Sequence, residues 1–295
     1  MDIDKSLERL RIGAAASERY YGKPLMICYS GGKDSDVLIE LARISGINFE
    51  VTHSHTTADA PETVRHIRKR FHELELEGYK CSVIYPTYKG KRTSMWDLIV
   101  AKKMPPTRLA RYCCSVLKET AGAHRAIATG VRWAESTARK QRGIYEDIHK
   151  SRDKRVVLTS DNDDNRAWFE RCEVRAKTVI NPIIDWSDND VWDFLSEQRC
   201  EINPLYGCGF SRVGCIGCPM VSKQRYEEFK RYPKYARMYM RAFERMLAAR
   251  KAAGLESSWE SAYDVFRWWL EEDFRQYELD EVRDDRLKEL FGKED

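Results

Sequence analysis

Ser30-Gly31-Gly32-Lys33-Asp34-Ser35 places a cation and a carboxylate directly after two residues that have no side chain. Gly31 and Gly32 let the backbone approach an anion closely with its amides turned inward, and a helix starting next adds its positive end. Lys33 can reach a phosphate, and Asp34 can hold Mg²⁺ directly or through water. The spacing is shorter than in the G-x-x-x-x-G-K-[ST] loop, so this is a different grip. A tight turn capped by Ser and Asp is the structural alternative. Sulfur forms the second group. Of nine cysteines, Cys113-Cys114 and Cys215-x-x-Cys218 are clustered. An odd count in a long chain argues against a disulfide framework, and clustered thiols point to a metal or redox role. Cys28, Cys81 and Cys172 read as buried, reduced thiols.

The elements around these residues alternate. Asp4 to Tyr21 has helical apolar spacing, and Leu25 to Tyr29 is a continuous apolar run, as in a strand buried on both faces. The glycine loop follows, then a helix that includes Val37 to Ala42. Strands are expected at 48–53, 81–85, 126–131 and 178–184, and helices at 61–76, 115–124 and 188–195. Such alternation implies an α/β fold, a doubly wound parallel sheet with helices on both faces, whose ligands sit beyond the carboxyl ends of the strands. Residues 139–177 are polar and read as a loop or lid. Residues 1–202 are expected to form a nucleotide-binding domain. Residues 203–295 form a cysteine-containing turn and a helical extension, with long helical patterns at 223–253 and 259–277.

The chain of 295 residues has no apolar run near the roughly 20 residues that cross a bilayer, and its start lacks the basic and apolar blocks of a signal peptide. A cytoplasmic protein without membrane contact is expected. A net charge of +4, small against 51 basic and 47 acidic residues, does not announce a nucleic-acid binder. Residues 222–253 hold ten Lys or Arg against three Glu, interleaved with Tyr226, Phe229, Tyr232, Tyr235, Tyr239 and Phe243. That pattern suits a nucleic-acid backbone, although spacing of three and four is also that of a core-facing helix stripe.

The glycine loop resembles the SGGxDS loop of ATP pyrophosphatases, the adenine-nucleotide α-hydrolase group. Thr52-His53-x-His55-Thr56-Thr57-x-Asp59-Ala60-Pro61-Glu62-Thr63 is similar to the segment after the second strand in phosphoadenosine-phosphosulfate (PAPS) reductase-like proteins. Arg111-Tyr112-Cys113-Cys114-x-x-Leu117-Lys118, Gly130-x-Arg132-x-x-Glu135-Ser136-x-x-Arg139 and Asn203-Pro204-Leu205-Tyr206 resemble later blocks of that family, in family order. The resemblance covers about Leu25 to Met220. It implies a nucleotide site at Ser30, Gly31, Gly32, Lys33, Asp34, Ser35, His53, Glu62, Gly130, Arg132, Glu135, Ser136 and Arg139, with Lys33, Asp34, Lys118 and Arg132 in the chemistry. Arg132 and Arg139, seven apart, would share a helical face toward one anion. A helix would set Lys118 on the side of the paired cysteines. His55 reads as a packed or solvated imidazole.

Cys215-Ile216-Gly217-Cys218-Pro219 has ferredoxin ligand spacing. With Cys113-Cys114 it resembles the four-cysteine [4Fe–4S] site of some reductases of the family. Cys208-x6-Cys215-x2-Cys218 resembles the run in DndC-type DNA phosphorothioation proteins, which leaves one ligand among Cys113, Cys114 and Cys200. Zinc fits less well, because adjacent cysteines are poor ligands for one ion. PAPS and adenosine-phosphosulfate (APS) reductases carry a reduced loop and a later nucleophilic cysteine. Here the loop is complete and no cysteine follows Cys218. The resemblance therefore implies ATP cleavage to AMP and pyrophosphate with Mg²⁺, adenylating an acceptor for sulfur transfer. Its partners would be a sulfur donor such as a cysteine desulfurase, DNA as one candidate acceptor, and further subunits of a homo- or hetero-oligomer. The alternatives are a sulfonucleotide reductase and a non-catalytic, nucleotide-sensing subunit of a defence complex.

Overall fold

The computed structural model describes residues 1–119, 121–148, 156–161, 177–221 and 224–271, which fall into two compact units. The first comprises Met1–Ser54, Pro61–Ile84 and Thr120–Val213; the second comprises His55–Ala60, Tyr85–Glu119 and the chain from Gly214 onward. The division therefore differs from a boundary at residue 202. Residues 203–213 belong with the first unit, where Asn203 and Tyr206 bond the glycine loop, and residues 85–119 belong with the second.

In chain order the elements are α1 (Ile3–Tyr21), β1 (Leu25–Cys28), α2 (Lys33–Ser45), β2 (Phe49–Ser54), α3 (Pro61–Leu76) and β3 (Lys80–Ile84). A small hairpin, β4 (Thr87–Tyr88) and β5 (Lys91–Arg92), precedes α4 (Met95–Lys102) and α5 (Tyr112–Leu117). Next come β6 (Ala126–Ala128), β7 (Tyr145–Asp147), β8 (Val156–Leu158), β9 (Thr178–Ile180) and α6 (Asp188–Glu197). The last three are α7 (Gln224–Arg231), α8 (Pro233–Ala252) and α9 (Ala262–Glu271).

The first unit is built on one sheet with strand order β3-β2-β1-β6-β9-β7-β8. The five strands from β3 to β9 pair in parallel, while β7 runs antiparallel to both β9 and β8. Strand order reverses beside β1, as in a doubly wound α/β sheet, which opens a crevice beyond the carboxyl ends of β1 and β6. Side chains alternate as the pleat requires. Leu25, Ile27, Ala126, Ala128 and Ile180 enter the main core with Leu38, Leu41 and Phe194, while Met26, Ile127 and Val179 face the other way. Each fully buried Leu or Ile contributes roughly 1.5–3 kcal/mol.

Two stretches differ from their expected form. The segment 139–177 is not all loop. Tyr145-Glu146-Asp147 reads as polar, yet its Glu146 is fully buried, ion-paired to Arg142 and bonded by Asn181, so the strand extends the sheet. The parts of that segment at 149–155 and 162–176, and Cys172 with them, lie outside the described residues. The helix expected at 115–124 is instead the short α5, followed by turns in which Gly122 and His124 take positive φ.

The second unit has its own aromatic core. Phe229, Tyr239, Phe243, Phe266 and Trp269 are buried against one another, with Tyr239 and Trp269 ring centroids 4.6 Å apart. Half of the aromatic series in 222–253 is thus core, as the helical spacing allowed. The pattern that reads as one helix over 223–253 is broken at Pro233, which lacks an amide proton and starts α8. Among the described residues no helix is long and apolar enough to cross a membrane.

Candidate functional site

The loop after β1 turns on Gly31, whose φ of +73° is left-handed. A Cβ there would lie 2.8 Å from Ile67 Cγ1 on α3, so both the backbone angle and the space demand glycine. Asn203, fully buried, donates from Nδ2 to the Gly31 carbonyl at 2.9 Å and to Thr63 Oγ1 at 3.1 Å, pinning the bend. Ser35 closes it from the helix side, donating to the Gly32 carbonyl at 2.7 Å and accepting from the Ser30 amide at 3.3 Å. His53 is buried at the end of β2 and donates from Nδ1 to the Tyr29 carbonyl at 3.0 Å, so it braces the start of the loop.

Four amides face the bend. That of Lys33 donates to the Tyr206 hydroxyl at 2.9 Å. Those of Gly31, Gly32 and Asp34 have no acceptor among the described residues, although both glycines are buried. Buried amides need a partner, and phosphate oxygens would supply one.

Around the loop, charges close a ring. Arg132, 1% exposed, donates from Nε to Asp34 Oδ1 and from Nη2 to Asp188 Oδ1, each at 2.6 Å. Lys33 Nζ donates to Asp188 Oδ1 at 2.9 Å and lies 3.5 Å from the Asp34 carboxylate. Lys33 and Arg132 together hold Asp188 below the usual carboxylate range, Lys33 making the larger contribution. The loops that carry these groups follow β1, β6 and β9, three neighbouring parallel strands. Gly130 allows the approach: a Cβ there would stand 2.9 Å from the Asp34 carbonyl oxygen. On the far side, Arg9 of α1 is buried and bonds Asp185 through two nitrogens at 2.8 and 2.9 Å, fixing the stretch that leads into α6.

Other expected residues fall elsewhere. Arg132 and Arg139 do not share a helical face, because two 3₁₀ turns, Trp133–Glu135 and Thr137–Gln141, meet at an extended Ser136. Arg139 is ion-paired to Glu135, and Glu135 also accepts from the Arg132 amide at 3.1 Å. Ser136 is exposed, and Glu62 is half-buried in the first turn of α3. Asp188, Asn203 and Tyr206 were not among the residues picked out from sequence. The signal for Asn203 and Tyr206 was their place in a matched block, whereas Asp188 read only as a helix start.

The second unit holds the thiols. Cys113 and Cys114 lie on α5, and Cys215 and Cys218 bound a turn closed by the Cys218 amide donating to the Cys215 carbonyl at 3.2 Å. Gly217 sits between them at φ +72°, where a Cβ would lie 2.6 Å from Phe229 Cζ. Its amide donates to Glu228 at 2.7 Å, and the Tyr239 hydroxyl donates to the Ile216 carbonyl at 2.9 Å, so the aromatic core holds the turn. The Cys215 thiol is pushed up to about 11 by burial, and Lys118 opposes that rise. Hydrogen bonds from Cys113 and then Arg111 hold Cys114 down at about 5, with help from Lys118. Lys118 itself is raised, first by the charge of Cys215 and then by Asp59, Cys218 and Cys114. Lys118, at the C-terminal end of α5, acts on these thiols through its charge. Cys208 is exposed and belongs to the first unit. Cys28 and Cys81, pushed up to about 11 by burial, are inert thiols.

A doubly wound sheet with a diglycine loop at its switch point defines a nucleotide-binding α/β protein. The chain belongs to the phosphoadenosine phosphosulfate reductase domain family, which matches residues 24–221. An uncharacterized protein of Methanocaldococcus jannaschii is 28% identical over 218 residues, 72% of this chain and 40% of that protein. The chain spans 44% of a second uncharacterized protein from the same organism. The adenosine 5'-phosphosulfate reductase of Lysinibacillus sphaericus is 22% identical over 211 residues, 68% of this chain and 76% of that enzyme. Among solved structures, the PAPS reductase of Candida auris in a phosphate complex matches with a TM-score of 0.46 and 15% identity, over 72% of this chain and 88% of that one.

Proposed function

We propose that this chain binds ATP on the 30–35 loop and cleaves it between the α and β phosphates, adenylating an acceptor oxygen for sulfur transfer. The observation that carries the reading is the complete loop: three amides without acceptors among the described residues, beside Lys33 and Arg132. These amides and the two cations would hold the β and γ phosphates and receive the charge that develops on pyrophosphate. Bound at Asp34, Mg²⁺ would neutralise phosphate charge. The acceptor oxygen attacks the α phosphorus, its bond to AMP forms as the bond to pyrophosphate breaks, and sulfur later displaces AMP. Catalysis is then mostly positioning and electrostatics. A sulfur donor protein such as a cysteine desulfurase would supply the sulfur, with a DNA backbone or a small molecule as acceptor.

Cys113, Cys114, Cys215 and Cys218 fit a [4Fe–4S] cluster: four free thiols in mutual electrostatic contact, with Arg111 and Lys118 to offset thiolate charge. Such a cluster supplies one-electron chemistry or a sulfur store. Iron and sulfide content of anaerobically purified protein tests the assignment, and equimolar zinc without iron would reject it.

The second reading is a sulfonucleotide reductase, favoured by the family and by relatives that carry that name. The two readings part on products. Pyrophosphate and AMP from ATP support the first, and sulfite from PAPS or APS with a thiol donor supports the second. Tight ATP binding with neither product would favour a nucleotide-sensing subunit.

A further inference from the structure

We propose that Asp188 is an internal stand-in for phosphate, holding Lys33 and Arg132 in place until an anion displaces it. The inference rests on the nucleotide-site reading above. One carboxylate oxygen, Asp188 Oδ1, accepts from both cations, at 2.9 Å from Lys33 and 2.6 Å from Arg132. A phosphate oxygen between the same two groups would make the same pair of charge-assisted bonds. The carboxylate is poorly buried for such a role in stability: its side chain is 68% exposed, whereas that of Arg132 is 1% exposed. Nor is it needed to start α6, which is capped by the reciprocal bonds of Ser187 and Asp190. One turn along the same helix, Trp192 presents its ring 5.9 Å from Lys33 Nζ. One face of α6 thus holds the lysine from two positions.

The consequence is a competition. In the anion-free protein the two cations and the two carboxylates, Asp34 and Asp188, balance, so neither cation has to reorganise from solvent when a ligand arrives. An incoming phosphate must displace Asp188, and that costs affinity. The ring therefore trades tight binding for a prearranged site from which pyrophosphate can leave.

The test uses the full chain and inorganic pyrophosphate without divalent metal, titrated calorimetrically into wild type, Asp188→Asn and Asp193→Asn. Asp193 is exposed on the same helix and outside the ring, so its variant carries the same loss of charge without the local contact. Asp188→Asn is expected to bind pyrophosphate about tenfold more tightly and Asp193→Asn to match wild type. Equal thermal midpoints check the fold. Binding by wild type that is unchanged or weaker in Asp188→Asn overturns the proposal, as does an equal gain in Asp193→Asn. If none of the three proteins binds pyrophosphate or ATP, the nucleotide-site reading fails as well.

Discussion

Replacing Arg132 by alanine removes the buried cation on which the ring depends. The guanidinium is 1% exposed and donates to Asp34, Asp188 and the Trp186 carbonyl. The bond to Asp34, whose side chain is 23% exposed, is worth about 1.5–3 kcal/mol as a charge-assisted bond. The bond to Asp188, 68% exposed, is screened by water and is worth about 0.5–1 kcal/mol. Together they set an expected loss of roughly 2–4 kcal/mol, since Lys33 stays to serve both carboxylates. At roughly 2–4 °C per kcal/mol for a domain of this size, the melting midpoint should fall by about 4–16 °C. Nucleotide affinity should fall further than stability accounts for, because a phosphate ligand also disappears. Arg132→Lys should recover part of the stability, as one ammonium cannot bond both carboxylates with the same fork geometry. Thermal melts with and without ATP measure both effects. An Arg132→Ala protein that melts like wild type and binds ATP unchanged would refute the reasoning.

Lys33→Ala should weaken ATP binding roughly 10- to 100-fold, measured calorimetrically, because one charged contact to phosphate is lost. Gly31→Ala combines a left-handed backbone with a 2.8 Å approach to Ile67, so a loss of about 1–3 kcal/mol is expected in urea unfolding. Asp185 is pushed up by burial, but its hydrogen bonds to Arg9 outweigh that and hold it below the usual carboxylate range. Its contribution is therefore present above the ordinary carboxylate pKa and is lost as pH falls through the lowered value. Asp185→Asn should be less stable at neutral pH and show a flatter acid limb in a stability–pH profile.

Much of this architecture is legible in the sequence. The Pro61–Leu76 helix has the expected bounds, and α1, β1 and β2 lie within a residue or two of theirs, because long apolar periodicities and glycine stops are strong signals. The loop at 30–35 announced itself by composition. The ring did not. Its fourth member, Asp188, comes from a helix start 154 residues after Asp34 in the chain, and only the reversal of strand order at β1 brings the loops together. Short strands were hidden for a different reason. In Tyr145–Asp147 a buried Glu146 is stabilised by Arg142, so the local polarity misleads. The seven-residue spacing of Arg132 and Arg139 suggested a helix that extended Ser136 interrupts.

Incubation of the full chain with ATP and Mg²⁺, with the nucleotide products resolved chromatographically, bears most directly on the loop's role. AMP with an equal amount of pyrophosphate, lost in Lys33→Ala, is the expected outcome. ADP with inorganic phosphate, or unchanged ATP alongside sulfite formed from APS, would contradict it.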